Sequence, residues 1–269
     1  MFETIETMLE QGILTVTLNR PEALNSYTYK MSEELEQLFD EAKENDQVRV
    51  IIITGKGRAF CAGMDLFESD TPFKVDVTAE QFRDIGGKVS LKIYELNKPI
   101  IAAINGAAVG IGLTMTLPMD IRIVKKEAKV GFVFARRGIG PEACSGWFLT
   151  KHVGLGKALE WMYSGRYIST TEGVAAGLFQ YEVDDPLQKA KEIATEIIRY
   201  TAATSNAFTR ELLWTMVNAP HPFSSHEAES KFLYWASRQK DVHEGIQSFM
   251  EKRNPQFPLK ASDLPLFFD

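Results

Sequence analysis

Residues 48–66 read VRVIIITGKGRAFCAGMDL, a strand followed by a glycine turn, and they indicate the class of fold. Residues 48–54 are almost all apolar and mostly β-branched, which is typical of a strand buried on both faces. Residues 98–123, KPIIAAINGAAVGIGLTMTLPMDIRI, repeat the strand and glycine turn, continue into a short helix and end in another strand. Strands that alternate with helices predict an α/β fold with a largely parallel sheet.

Helical patterns lie on both sides of these stretches. Ser26 or Thr28 can cap the first helix, and Pro186 opens an amphipathic one. Helices are expected at about residues 28–44, 78–96, 206–217, 225–238 and 241–252. We therefore expect a core of residues 1–190 and a C-terminal helical region of residues 191–269, which together form one functional unit.

The composition excludes several classes of protein. The 269 residues carry 36 acidic and 30 basic side chains, a formal net charge of −6, which argues against a nucleic-acid partner. The two cysteines, Cys61 and Cys144, lie far apart and in no metal-ligand spacing, so neither a disulfide nor a metal site is expected. The first residues carry no secretory or transit signal, and the expected location is the cytoplasm.

Residues 99–119 carry no charge and are long enough to span a bilayer. Proline, asparagine and glycine residues interrupt them at Pro99, Asn105, Gly106, Gly110, Gly112 and Pro118. We therefore expect a short strand, a glycine turn and a short buried helix here, and no membrane partner.

Three glycine turns, at residues 58–66, 105–113 and 136–147, can present free backbone N–H groups at the carboxyl ends of strands, where open α/β sheets bind ligands. Each of them taken alone is more simply explained as a tight turn, because strand–glycine–helix turns are common. The spacing G-x-G-x-x-G is absent, so a dinucleotide site is not indicated.

Glu142 is the sole carboxylate between Glu127 and Glu160, and it follows Pro141 at the apparent first turn of a helix. An acidic residue at a helix start is stabilised by the helix dipole. A lone carboxylate among apolar neighbours is alternatively a base whose pKa is raised by desolvation. These local patterns leave both interpretations open.

Several motifs in order resemble the crotonase family, the enoyl-CoA hydratase/isomerase superfamily. They are LNRPEALNS, the stretches at residues 48–66 and 98–123, GIGPEACSGWFL and the closing FMEKRNPQF. The resemblance implies a crotonase-like spiral of ββα units with a C-terminal helical trimerisation region. It also implies a homotrimer or a dimer of trimers, and an acyl-CoA substrate with no permanently bound cofactor.

The resemblance also implies where an acyl-CoA thioester binds. The backbone N–H groups of Met64 and Ile111 would form the oxyanion hole for the thioester carbonyl. The residues implied along the CoA path are Ala62, Gly63, Asp65, Leu66 and Gly110. Basic side chains implied for the CoA phosphates are Arg58 and, from the C-terminal end, Lys252 or Arg253. Residues 67–82 are expected to form a flap over the pocket.

Two departures from the family pattern bear on the reaction. Family hydratases carry two glutamates where this chain has Thr114 and Phe134, and hydration needs such a carboxylate pair. Glu142 falls where peroxisomal-type 3-enoyl-CoA isomerases carry their catalytic glutamate, in a similar PEGCSS stretch. The prediction is an isomerase that converts a 3-enoyl-CoA to a 2-enoyl-CoA with Glu142 as acid and base, while Thr114 and Phe134 exclude water.

Two alternatives remain. One is an enoyl-CoA hydratase or another crotonase-fold CoA-ester enzyme, including an isomerase of ring-derived esters. The other, from a different class, is a non-catalytic acyl-CoA-binding protein.

Overall fold

The computed structural model of the protein describes residues 2–67 and 77–268. The strands of this part of the chain are β1 (Ile5–Glu10), β2 (Ile13–Leu18), β3 (Val50–Gly55), β4 (Ala59–Cys61), β5 (Ile100–Ile104), β6 (Ala107–Val109), β7 (Ile121–Lys125), β8 (Val130–Gly131), β9 (Tyr167–Ile168) and β10 (Tyr181–Val183). The α-helices are α1 (Tyr29–Glu44), α2 (Ile85–Tyr94), α3 (Ile111–Thr114), α4 (Ser145–Ser164), α5 (Thr170–Ala175), α6 (Pro186–Tyr200), α7 (Ala203–Met216), α8 (Phe223–Ala236) and α9 (Lys240–Met250). A 3-10 helix spans Phe134–Arg137.

The strands form two sheets, and from β3 to β8 successive strands alternate between them. The larger sheet has the order β1-β2-β3-β5-β7-β10, and the smaller one has the order β4-β6-β8-β9. Three successive ββα units, starting at β3, β5 and β7, each give their first strand to the larger sheet and their second to the smaller one. All pairs are parallel except β1 with β2 and β8 with β9. The predicted α/β fold with a largely parallel sheet and a spiral of ββα units is confirmed.

Strand β3 is buried along its whole length and is apolar from Val50 to Ile53, because both faces of the larger sheet are covered. Ile51 and Ile53 pack into the main core between the elements of the spiral. Val50 and Ile52 pack on the opposite face, against buried alanines of α6. The expected boundary between residues 190 and 191 therefore falls inside a helix that packs on the sheet as one piece.

The first helix begins as expected, and the second begins later than expected. Thr28 caps α1 by accepting a hydrogen bond from the Met31 N–H at 3.0 Å. The helix expected from residue 78 begins only at Ile85, because Asp84 caps it by accepting from the Gly87 N–H at 2.5 Å. Most of the expected flap, residues 68–76, lies outside the described residues.

The uncharged residues 99–119 form β5, β6 and α3, which are almost entirely buried in the core. The strand, turn and short helix expected there are confirmed. None of the helices in the described ranges has both the length and the apolar character needed to cross a membrane.

Helix α2 is held at its C-terminal end by α7 and α4. The buried Arg210 of α7 donates hydrogen bonds to the carbonyl oxygens of Ile93, Tyr94 and Leu96 at 2.5–2.8 Å. The Tyr94 ring packs edge-on against the Trp147 ring of α4, with centroids 5.8 Å apart. These contacts fix α2 against α4, and the opposite end of α2 faces the site described next.

Candidate active site

The turns after β4 and β6 meet at one edge of the smaller sheet. The two strands are parallel neighbours, with Ala59 opposite Ala107. A Cβ atom at Gly112 would collide with the Cys61 carbonyl oxygen, and one at Gly63 would lie 3.1 Å from the Val109 carbonyl oxygen. Such close approach of backbone requires glycine at these positions.

Two backbone N–H groups are left free where these turns meet. Gly110 has φ 56° and ψ −125°, a conformation that glycine adopts readily, and it directs the chain into α3 at Ile111. Tyr27 binds the residues on both sides of Met64. The Tyr27 N–H donates to the Gly63 carbonyl oxygen at 2.8 Å, and the Tyr27 carbonyl oxygen accepts from the Asp65 N–H at 2.9 Å. Within residues 2–67 and 77–268, the Met64 and Ile111 N–H groups donate to no acceptor. Two free donors at the ends of adjacent strands suit an oxyanion.

The Glu142 carboxylate lies beside this pair of turns. Its Oε1 accepts a hydrogen bond from the Thr114 hydroxyl at 2.5 Å. Its Oε2 lies against Gly86 of α2, where a Cβ atom would collide with that oxygen and lie 2.7 Å from Ile111 Cδ1. The structure therefore brings together Glu142 and Ile111, which are 31 positions apart in the sequence.

The expectation that Glu142 lies in the first turn of a helix is wrong. Helix α4 begins at Ser145, and Ala143 and Cys144 before it have φ values of 55° and 56°. Each non-glycine residue in this left-handed conformation costs about 1–2 kcal/mol. The helix-start explanation does not account for Glu142, since a strained turn separates it from the helix.

Burial raises the pKa of Glu142 to about 7, the hydrogen bond from Thr114 lowers it, and the nearby Asp84 charge raises it. A carboxylate with a pKa near neutrality can both remove and return a proton at physiological pH. Perturbed carboxylates of this kind cluster at functional sites.

Thr114 and Phe134 occupy different surroundings. The exclusion of water by Thr114 stays a prediction, and the structure adds that the Thr114 hydroxyl donates a hydrogen bond to the Glu142 carboxylate. The Phe134 side chain is 5% exposed, and its ring lies close to Gly110, with Cε1 3.8 Å from where a Cβ atom would stand. Neither residue supplies a second carboxylate.

Asp84 is a residue that the sequence patterns did not single out. Its Oδ1 accepts from the Gly87 N–H at 2.5 Å and from the Ala143 N–H at 3.0 Å. The signal that could have found it is an aspartate directly before an apolar helical stretch, which is typical of an N-cap.

The residues expected along the CoA path differ in accessibility. Leu66 is 45% exposed, and Ala62 is partly buried beside the buried Gly63. Asp65 is 8% exposed, and its carboxylate accepts from Arg20 at 2.9 Å and from Ser26 at 3.1 Å. The Asp65 side chain therefore points into the fold and ties the turn after β4 to Arg20 and Ser26.

The basic residues expected at the CoA phosphates are all near the surface. Arg58 is exposed, and its guanidinium forms no hydrogen bond or ion pair with any residue that the structure describes. Lys252 is exposed as well. Arg253 is engaged in ion pairs with Glu244 and Glu251, each at 2.6 Å. Arg58 and Lys252 are therefore more available for an anion than Arg253.

Comparisons of the whole chain with known proteins point to one family. The family model described as enoyl-CoA hydratase/isomerase matches residues 8–260. An enoyl-CoA hydratase of Alternaria alternata is 39% identical over 249 residues, which cover 91% of this chain and 83% of that protein. The 1,2-epoxyphenylacetyl-CoA isomerase of Escherichia coli is 32% identical over 267 residues, 96% of this chain and 99% of that protein. The crystal structure of an enoyl-CoA hydratase from Bacillus anthracis has a TM-score of 0.86 and 30% identity, covering 95% of this chain and 99% of that one.

Proposed function

Because the chain belongs to the enoyl-CoA hydratase/isomerase family of acyl-CoA enzymes, we propose that it moves the double bond of a 3-enoyl-CoA to give the 2-enoyl-CoA. One observation carries the proposal. Glu142, with a pKa near neutrality, stands beside Ile111, while the two other positions where hydratases carry glutamate hold Thr114 and Phe134. A single carboxylate is sufficient for a double-bond shift because it serves as base and then as acid.

In the proposed mechanism the thioester carbonyl oxygen accepts hydrogen bonds from the Met64 and Ile111 N–H groups. Glu142 removes a proton from C2, and the electron pair spreads over the carbonyl and the C3–C4 double bond as a dienolate. The protonated Glu142 then returns the same proton to C4, so that the double bond lies between C2 and C3 and no atom is gained or lost. Each donor aimed at the developing oxyanion is worth about 3–4 kcal/mol of barrier lowering.

A hydratase is the second candidate, and two observations favour it. The Alternaria alternata relative is named a hydratase, and Asp84 places a second carboxylate near Glu142. Against this role, the Oδ1 atom of Asp84 already accepts hydrogen bonds from two backbone N–H groups. This oxygen is therefore poorly placed to activate a water. The name of the Escherichia coli relative supports a ring-derived CoA ester as an alternative isomerase substrate.

The test is to incubate the protein separately with a medium-chain 3-enoyl-CoA and a 2-enoyl-CoA, following the absorbance of the conjugated thioester and the product masses. The isomerase produces 2-enoyl-CoA from the first substrate and adds no water to the second. Glu142→Gln abolishes the reaction, and Glu127→Gln, a surface change of the same kind, leaves it intact. Loss of the 2-enoyl absorbance with a mass gain of one water would instead establish a hydratase. Binding of acyl-CoA without any change in it would establish the non-catalytic binder.

We also propose that the protein assembles as a homotrimer or a dimer of trimers. Apolar side chains at the end of α9 support this, since Phe249 is 84% and Met250 is 75% exposed in the single chain. Exposed apolar clusters of this kind mark interaction surfaces. Light scattering should give three or six times the chain mass of 30.3 kDa, and a monomer would contradict the proposal.

A further inference from the structure

Asp84 connects the start of α2 to the turn that follows Glu142. One of its oxygens, Oδ1, accepts from Gly87 within α2 and from Ala143, the residue directly after the proposed base. The same end of α2 makes a second contact with the base, because the Glu142 carboxylate rests against Gly86. Both the backbone and the carboxylate of Glu142 are therefore placed relative to α2.

The turn after Glu142 needs such support. Ala143 and Cys144 are consecutive non-glycine residues in the left-handed region, a conformation that persists only where the surroundings enforce it. The turn itself supplies the hydrogen bond from the Ser145 N–H to the Glu142 carbonyl at 2.9 Å. The bond from the Ala143 N–H to Asp84 fixes the plane of the peptide that joins Glu142 to Ala143, and with it the direction in which the Glu142 side chain leaves the backbone.

We propose that Asp84 is a positioning residue: by accepting a hydrogen bond from Ala143, it holds the left-handed turn that directs the Glu142 carboxylate towards the two free N–H donors. The proposal rests on the function proposed above, in which Glu142 is the base. Catalysis is sensitive to this kind of placement, since a shift of about 1 Å in a reacting group can lower a rate by about 100-fold.

The charge of Asp84 gives a second, separable signature. The titratable groups that face Glu142 are Asp84 at the start of α2, Cys61 of β4, Tyr27 before α1 and Cys144 in the same turn. Burial raises the pKa of the Cys61 thiol to about 12 and also raises the pKa of Tyr27 and of Cys144, so these groups remain neutral. Among the described residues, Asp84 is thus the charged group that faces the base.

The test compares three variants of the full-length protein. Asp84→Ala removes the acceptor and the charge, and Asp84→Asn keeps an acceptor oxygen but removes the charge. Asp185→Ala is the matched control, because Asp185 caps α6 in the same way, accepting from Gln188 at 3.0 Å, and does not contact the site. Melting temperatures show whether the two alanine variants lose comparable stability as capping changes.

The expected result is a split between kinetic constants. Asp84→Ala lowers kcat by about 10- to 100-fold with KM changed by less than about twofold, as expected for a displaced base. Asp84→Asn keeps kcat within about threefold of the wild type, and Asp185→Ala changes neither constant. The proposal is overturned if Asp84→Ala keeps the wild-type kcat, or if Asp84→Asn is impaired as severely as Asp84→Ala.

A measurement without substrate separates this inference from the proposed function. In protein labelled with ¹³C at glutamate side-chain carboxyls, the Glu142 signal is the one missing from Glu142→Gln. In Asp84→Asn this signal should titrate lower by about half to one pH unit, because a like charge has been removed. An unmoved titration would overturn the placement of Asp84, even if Asp84→Ala fails to fold. A wild-type protein without isomerase activity would refute the proposed function alone, since this titration still reports on Asp84.

Discussion

The hydrogen bond from Thr114 to Glu142 allows a sharp prediction about pH dependence. The Thr114 hydroxyl donates to the ionised carboxylate, so it stabilises the charged form and lowers the pKa of Glu142. Replacing Thr114 by valine keeps the shape of this fully buried side chain and removes the donor. The pKa of Glu142 should therefore rise above its present value of about 7.

The magnitude follows from the strength of such a bond. A hydrogen bond to a charged group contributes about 1.5–3 kcal/mol, which corresponds to about one to two pH units. If the base is half ionised at pH 7 in the wild type, its ionised fraction falls roughly 5- to 50-fold in Thr114→Val. Activity at pH 7 should fall by the same factor and recover substantially at pH 9.

The assay is the pH profile of kcat/KM for the double-bond shift between pH 5.5 and 9. Thr114→Ser is the matched control, because it keeps the hydroxyl and loses only a methyl group. The acid limb of the Thr114→Ser profile should stay near that of the wild type, while the acid limb of the Thr114→Val profile moves to higher pH. Superimposable acid limbs for the valine and serine variants would refute the assignment of Thr114 as the group that tunes the base.

Three further predictions concern the site and its surroundings. Gly86→Ala should lower kcat by about 100-fold while the protein stays folded, because the added Cβ displaces the Glu142 carboxylate. Gly146→Ala is the control and should keep full activity, because a Cβ atom at Gly146 would meet no other atom within 4 Å. The raised pKa of Glu142 makes its ionisation unfavourable in the fold, so the wild type should lose free energy of unfolding as the pH rises from 5 to 8, and Glu142→Gln should not. In urea denaturation the difference between the two proteins should grow by up to about 3 kcal/mol over this range. Equal pH dependence of the two unfolding free energies would contradict this prediction. Burial and Arg122 lower the pKa of His152 to about 4, so the stability that its neutral form contributes is present above pH 6.5 and is lost as the pH falls towards 4. Between pH 7 and 4.5 the free energy of unfolding of His152→Gln should therefore fall by about 2–3 kcal/mol less than that of the wild type. An equal fall in both proteins would contradict the lowered pKa.

The sequence by itself determined the fold class, and through its resemblance to a known family it predicted the two backbone donors of the candidate site. Apolar β-branched runs and glycine turns report on local conformation, and the burial of β3 and the turns before Met64 and Ile111 follow from residues within a few positions of each other. The proposed oxyanion donors, the N–H groups of Met64 and Ile111, belong to the backbone, so their placement depends on the turns rather than on the partners of any side chain.

Only the tertiary structure decided what surrounds Glu142. Thr114 is 28 positions from Glu142, and Asp84 is 59 positions from Ala143, so no local pattern links them. The spiral brings α2, α3 and the turn before α4 to one place, and that convergence determines which groups contact the carboxylate and how strongly water is excluded from it. The pKa of a carboxylate depends on these two quantities, because burial disfavours the charged form and a hydrogen bond favours it.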